Sequence, residues 1–322
     1  MATDLELDYA FRFLLGRPPT QEEVVQWAAT PADQLREQLM STTAFQVALP
    51  GNAVFMPLEL PAPQVEWSAD EPTVARMLAR VTAQWMRLGQ ERPFWSSEMR
   101  PEFDPGQIDA HREQFAQTGE TEVAGLLKLL ERYGLRPGQF ERVCDFGCGV
   151  GRVARPLARI FRSVTGCDVS TPHMMIARSL TGAAVTYALV DMPDFGMAKP
   201  FDLWFSTQTL QFTPPPVSTL ILRRMFAMLA PGGLAVFQVP TEQRSYRFSV
   251  AEYLNEPDHP ETLTVHCLPQ AVVFALAAEA GCRPLEVRED GKIWPPTAVL
   301  SNRFVFVKPR SAPAAGPRLA RR

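Results

Sequence analysis

Val143-Cys144-Asp145-Phe146-Gly147-Cys148-Gly149-Val150-Gly151-Arg152 is the stretch that decides how this 322-residue chain reads. Its apolar start predicts a short buried strand, its glycines a turn, and Arg152 the first turn of a helix reaching Phe161. Glycines at alternate positions have no Cβ, so the backbone there can come within contact distance of a ligand. A strand, a glycine turn and a helix N-terminus together form a nucleotide-binding corner. A dinucleotide fingerprint needs a further glycine three residues after Gly149, and Arg152 stands there instead. A dinucleotide or nucleotide-sugar oxidoreductase is therefore disfavoured.

Outward from that corner, strands and helices alternate. Strands are predicted at 142–146, 164–168, 185–190, 201–206, 234–239, 284–288 and 303–308, and helices at 153–161, 172–179, 215–229 and 269–280. Such alternation implies an α/β fold with a doubly wound sheet. Only a turn-rich loop separates the last two strands, so they should pair antiparallel. Ahead of the corner, helices are predicted at 73–89, 107–117 and 121–133, with a turn-rich aromatic segment from Pro93 to Gly106.

The order acidic-x-Gly-x-Gly-x-Gly resembles the first motif of the class I S-adenosylmethionine-dependent methyltransferases. That resemblance covers residues 107–308 and implies a seven-stranded Rossmann-like sheet whose last strand is antiparallel. It also implies S-adenosylmethionine as cofactor. Asp145 and the backbone donors of the turn at Gly147, Cys148, Gly149 and Gly151 would face the amino-acid end; Arg152 would either line the pocket or, as a helix-start arginine more often does, lie on the surface. Asp168, 23 residues after Asp145, matches the ribose carboxylate, with Val169 beside it. Asp191 falls where the family places an acidic residue for the adenine amine, with Met192 as a ring contact. Ser206-Thr207-Gln208 ends the fourth strand, facing the methionine part, with Ser206 and Gln208 as its site candidates, and Ala230-Pro231-Gly232-Gly233-Leu234 matches the turn before the fifth.

Charge and cysteine usage narrow the setting. A formal charge of −3 argues against a nucleic-acid surface spread over the molecule. None of the five cysteines forms a Cys-x-x-Cys pair, so neither a metal nor a disulfide framework is expected, and a reducing cytoplasm fits best. Met1 to Glu6 lacks the apolar core of a signal peptide, and no apolar run approaches the roughly 20 residues that span a bilayer.

Residues 1–50 predict a small helical module. Leu5, Leu7, Ala10, Phe11, Leu14 and Leu15 lie on helical spacing, and Thr20 with Glu23 is a capping box for the next helix. Leu14-Leu15-Gly16-Arg17-Pro18, with Trp27, Ser41 and Phe45, resembles a short helical module of bacterial glycan-associated proteins. Residues 51–106 are expected to supply a linker and lid helices. The Pro-, Ala- and Arg-rich 309–322 is expected to be a disordered tail.

The methyl acceptor is less legible. An alcohol needs a base to take its proton, and among His111, His173, His259 and His266 the last is the candidate, with a packing role as its alternative. Small-molecule members of the family carry a histidine shortly after the fourth strand, where Gln211 stands here. A glutamine cannot act as base, but it can orient an acceptor. The same region lacks the Asn/Asp-Pro-Pro-aromatic motif of base-amine methylases, which disfavours nucleic acid. The insert 241–264, with Arg244, Tyr246, Arg247 and Tyr253, suits a hydroxylated acceptor, a sugar or glycan first. A non-catalytic cofactor-binding protein of regulatory or chaperone type remains the second reading.

Overall fold

The computed structural model of the chain describes residues 3–15, 17–42, 45, 62–191, 199–243, 246–256, 263–293 and 299–310. Two compact units result. One is built from residues up to Pro61 with Gly291–Leu300, the other from Ala62–Asp290 with the chain from Ser301 onward.

The first unit contains α1 (Asp4–Leu15), α2 (Gln21–Trp27) and α3 (Ala32–Met40). Leu7 and Phe11 of α1 bury against Leu35 and Leu39 of α3, with Trp27 edge-on to Phe11. Both halves of the capping box at Thr20 and Glu23 are formed.

In the larger unit the helices are α4 (Glu71–Glu91), α5 (Trp95–Glu98), α6 (Ile108–Arg132), α7 (Ala154–Leu157), α8 (Thr171–Thr181), α9 (Pro215–Met228), α10 (Val250–Asn255) and α11 (Gln270–Glu279). The strands of its main sheet are β1 (Arg142–Phe146), β2 (Ser163–Asp168), β3 (Thr186–Leu189), β4 (Phe201–Ser206), β5 (Leu229–Gln243), β6 (Arg283–Glu289) and β7 (Val299–Val307). They lie in the order β3-β2-β1-β4-β5-β7-β6. β1 to β5 pair parallel with one another, and β6 pairs antiparallel with β7, as the short loop between them requires. The order reverses at β1, and an open α/β sheet offers its binding crevice at such a switch point.

Alternate residues of each strand feed two layers. Val143, Val164, Leu203 and Phe205 pack on α6 and α7, while Cys144, Phe146, Cys167 and Trp204 pack on α4, α9 and α11. α4 precedes the glycine corner in sequence, yet it packs against both α8 and α9. Its start is fixed by Asp70, whose side chain accepts from the Thr73 amide, and by Pro72 in the first turn. Val74, Met77, Leu78 and Val81 form its buried stripe. α4 is thus a layer of the sandwich rather than only a lid.

Three local expectations need correction. The helix predicted over 153–161 is regular only at Ala154–Leu157. Pro156 has no N–H to give, and beyond it the chain tightens into Arg159 N–H to Pro156 O and Ile160 N–H to Leu157 O bonds. The helices predicted at 107–117 and 121–133 are one element, α6, with its irregular backbone at His111. In the stretch expected to be a linker, Gln64–Val65 pairs in parallel with Arg247–Phe248, while residues 46–61, like 311–322 of the predicted tail, lie outside the described residues.

Candidate functional site

The corner folds as an interlocked pair of strand ends. Gly147 takes φ +75°, and an added Cβ there would come 2.0 Å from Thr209 Oγ1. Only glycine fits both that backbone and that space. Gly147 N–H and Cys148 N–H donate to Cys167 O at 2.7 and 3.0 Å, Gly149 N–H to Asp168 Oδ2 at 2.8 Å, and Gly151 N–H to Cys148 O at 2.8 Å. These four amides therefore serve the fold. The turn offers a ligand its shape, and the expectation that these donors face a bound carboxylate does not hold.

Asp145 is 2% exposed, and its Oδ2 has no hydrogen-bond partner. Burial pushes its carboxyl up to about 7, with Asp168 adding to the rise and Arg152 opposing it. Asp168 is held at both oxygens, Oδ2 by Gly149 N–H and Oδ1 by Ser170 N–H at 2.8 Å. Each carboxylate oxygen keeps a second lone pair for a ligand.

Arg152 is buried, not a surface residue. It pairs with Glu98 of α5 at 2.8 Å and donates to Gln208 Oε1 at 3.0 Å. Gln208 carries the αL backbone, φ +57°, uncommon for a non-glycine and costly unless its surroundings fix it. Its N–H donates to Gln238 Oε1 at 2.9 Å, which supplies part of that fixing. His173 ties the opposite side of α5, with Nε2 2.7 Å from Ser96 Oγ and Nδ1 2.7 Å from Ser170 Oγ.

These groups surround one cavity. Asp145, Gly147, Cys148, Gly149, Arg152, Asp168, Val169 and Gln208 all line it. The two carboxylates thus open onto the same space. Leu78, Val81 and Trp85 of α4 with Val217 and Ile221 of α9 form its apolar wall.

Residues 143–233 match the family model described as a methyltransferase domain. This is a class I S-adenosylmethionine-dependent methyltransferase domain. Among curated proteins, the chain is 31% identical over 147 residues to trans-aconitate 2-methyltransferase of Streptomyces avermitilis, covering 44% of this chain and 51% of that protein. It is 31% identical over 122 residues to a ubiquinone biosynthesis O-methyltransferase of Thiobacillus denitrificans, covering 35% and 52%. The chain spans about half the length of the curated relatives it matches. Among solved structures, magnesium protoporphyrin IX methyltransferase of Synechocystis PCC 6803 with bound SAH is similar at TM-score 0.45 and 17% identity, over 66% of this chain and 98% of that one.

The methyltransferase domain's residues fit the family's cofactor. S-adenosylmethionine brings an ammonium, the kind of group that the orphaned Asp145 oxygen lacks, and its apolar and polar parts suit a cavity with one wall of each kind.

Several residues singled out in the sequence do not line that cavity. Ser206 Oγ donates to Phe146 O at 2.9 Å inside the sheet. Gln211 is buried and its Oε1 accepts from Gln238 Nε2 at 2.9 Å. Gly151 and the exposed Asp191 are also absent from the lining, and Met192 lies outside the described residues. His266 packs edge-on to Phe248 and Tyr253, with Nδ1 3.1 Å from the Tyr246 hydroxyl, and burial lowers it to about 4. An imidazole so poor in proton affinity is a weak base. Conversely, Thr209, Ser96 and Ser97 line the cavity and were not singled out, while Thr207 of the strand end expected to face the methionine part does line it. No metal-ligating group of three or more side chains occurs among the described residues, and no described helix is long and apolar enough to cross a membrane.

Proposed function

We propose that the chain binds S-adenosylmethionine in this cavity and transfers its methyl group to a hydroxyl or amine of a small molecule. The observation that carries the reading is the partnerless Asp145 oxygen sharing one cavity with Asp168. Asp145 would take the ammonium, Asp168 the ribose hydroxyls, and Arg152 would supply positive charge at the carboxylate end. Methyl transfer from a sulfonium is an in-line displacement, so the chain's part is chiefly to hold both reactants and exclude water. The relatives named for O-methylation favour oxygen as the acceptor atom. A sugar or glycan is the preferred class, supported by the polar insert after β5 and by the N-terminal likeness to glycan-associated modules.

S-adenosylhomocysteine at about 100 times its dissociation constant should stabilise the fold by roughly 2.7 kcal/mol, and NAD at the same concentration should not. A melting temperature unmoved by S-adenosylhomocysteine would exclude the reading. The non-catalytic alternative draws on His173, the one histidine lining the cavity among the described residues, whose two ring nitrogens already have partners. Transfer of labelled methyl to any acceptor dismisses it.

For His266 the geometry gives a packing role. His266→Ala should cost about 1–3 kcal/mol of stability and leave S-adenosylhomocysteine affinity unchanged. Calorimetry checks both, and a normal melting temperature with lost methyl transfer would restore it as base.

A further inference from the structure

Gln208 and Met99 are the two non-glycine residues with positive φ among the described residues, at +57° and +52°. Met99 closes α5, where a left-handed residue is ordinary. Gln208 closes no helix. It follows β4 and lines the cavity, so something must hold its costly backbone in place.

That anchor is Gln238 of β5, which is 1% exposed and does not line the cavity. Its Oε1 accepts from Gln208 N–H at 2.9 Å, and a backbone N–H can only donate, so this bond fixes which way the amide faces. The two protons of its Nε2 then go to Gln211 Oε1 at 2.9 Å and Ser301 Oγ at 2.8 Å. Gln211 and Ser301 are buried as well, and Gln211 O accepts from His266 N–H at 2.8 Å. The amide is thereby tied to β7 and to the turn after β4, with its oxygen left for Gln208. On its other side Gln208 offers Oε1 to the Arg152 guanidinium at 3.0 Å. A buried polar network whose groups are all met specifies one arrangement of its members.

We infer that Gln238 is a positioning residue for the cofactor cavity: it holds the left-handed turn at Gln208 and, through that turn, the direction of the Arg152 guanidinium. Gln238 touches no ligand itself, and it lies beyond the residues 143–233 that match the family model. The inference rests on the proposed cofactor reading and extends it to a side chain behind the cavity wall.

Gln238→Met keeps the length of the side chain and removes its amide. S-adenosylhomocysteine affinity should fall about 10-fold in calorimetry, the worth of one hydrogen bond to a charged group, and the melting temperature should fall too. Glycine adopts positive φ unaided, so a Gln208→Gly protein no longer needs the anchor. Adding Gln238→Met to it should lower the melting temperature as before and leave its affinity within about twofold. A residue that only stabilised the fold would act alike in both backgrounds. Gln238→Glu keeps the oxygen that meets Gln208 N–H and loses the amide donors to Gln211 and Ser301. It should melt lower yet bind within about threefold of wild type, and it serves if the methionine variant does not fold. No affinity loss in Gln238→Met, an equal loss in both backgrounds, or a 10-fold loss in Gln238→Glu overturns the assignment alone. Wild-type protein that binds no S-adenosylhomocysteine overturns the cofactor reading and this assignment with it.

Discussion

Asp145→Asn should raise the melting temperature of the ligand-free protein at pH 8 while weakening S-adenosylhomocysteine binding about 10- to 100-fold. The two effects share one cause. In the fold, burial lifts the Asp145 carboxyl from 3.8 to about 7. A group raised in this way favours the folded state fully below its unfolded value and ceases to do so as pH climbs through its folded value. Between about pH 4 and pH 7 the ligand-free fold therefore loses stability, by about 1.4 kcal/mol per pH unit and about 4 kcal/mol in all. Asparagine carries no such charge, so its variant escapes the loss. The cofactor's ammonium supplies the missing partner and draws the carboxyl down again. Binding below pH 7 thus releases a proton, and wild-type affinity should climb from pH 6 to pH 8. In the asparagine variant that climb should vanish. Titration calorimetry in buffers of different ionisation enthalpy reads both. A flat wild-type profile, or an asparagine variant that binds as tightly as wild type at pH 8, would remove Asp145 from the ammonium site.

Proximity in sequence explains what could be foreseen. The glycine corner and Asp168 were legible because each needs only its own strand end and turn, and residue spacing places those directly. The alternation of strands and helices along the chain gave the sheet, and the short loop after β6 gave its antiparallel close. Long-range choices were hidden. Nothing in residues 71–91 says that this helix packs against both α8 and α9, because an amphipathic stripe shows that a face is buried and not what buries it. Arg152 could not be told from a surface arginine, since its partner Glu98 lies on a four-residue helix far upstream. Ser206, Thr207 and Gln208 are all polar, and only the strand's alternation decides that Ser206 turns to Phe146 O while Thr207 is left unmet. His266 looked available because Tyr246, Phe248 and Tyr253 enclose it only once the insert has folded.

Two glycines of α6 should respond to alanine with opposite signs. At Gly119 an added Cβ would stand 2.0 Å from Arg152 O and 2.9 Å from Arg152 C. Both are backbone atoms of the glycine corner, so no rotamer change relieves the clash and α6 must withdraw. Withdrawal loosens Val123 and Leu126 from Val153, Ala154 and Leu157, which share one buried cluster. It also draws Thr118 away from Arg152, whose guanidinium reaches that hydroxyl at 3.4 Å. Alanine's better helix propensity returns about 1 kcal/mol, and overpacking against immovable backbone costs about 1–3 kcal/mol or more. Since Arg152 lines the cavity, the cavity wall moves with it. Gly119→Ala should therefore lower the melting temperature by several degrees and weaken S-adenosylhomocysteine binding as well. At Gly125, on the same helix, an added Cβ meets nothing within 4 Å. Gly125→Ala should gain about 0.5–1 kcal/mol and leave binding alone. Thermal melts with and without ligand separate the two, and a Gly119→Ala protein as stable as Gly125→Ala would show that α6 does not press on the corner.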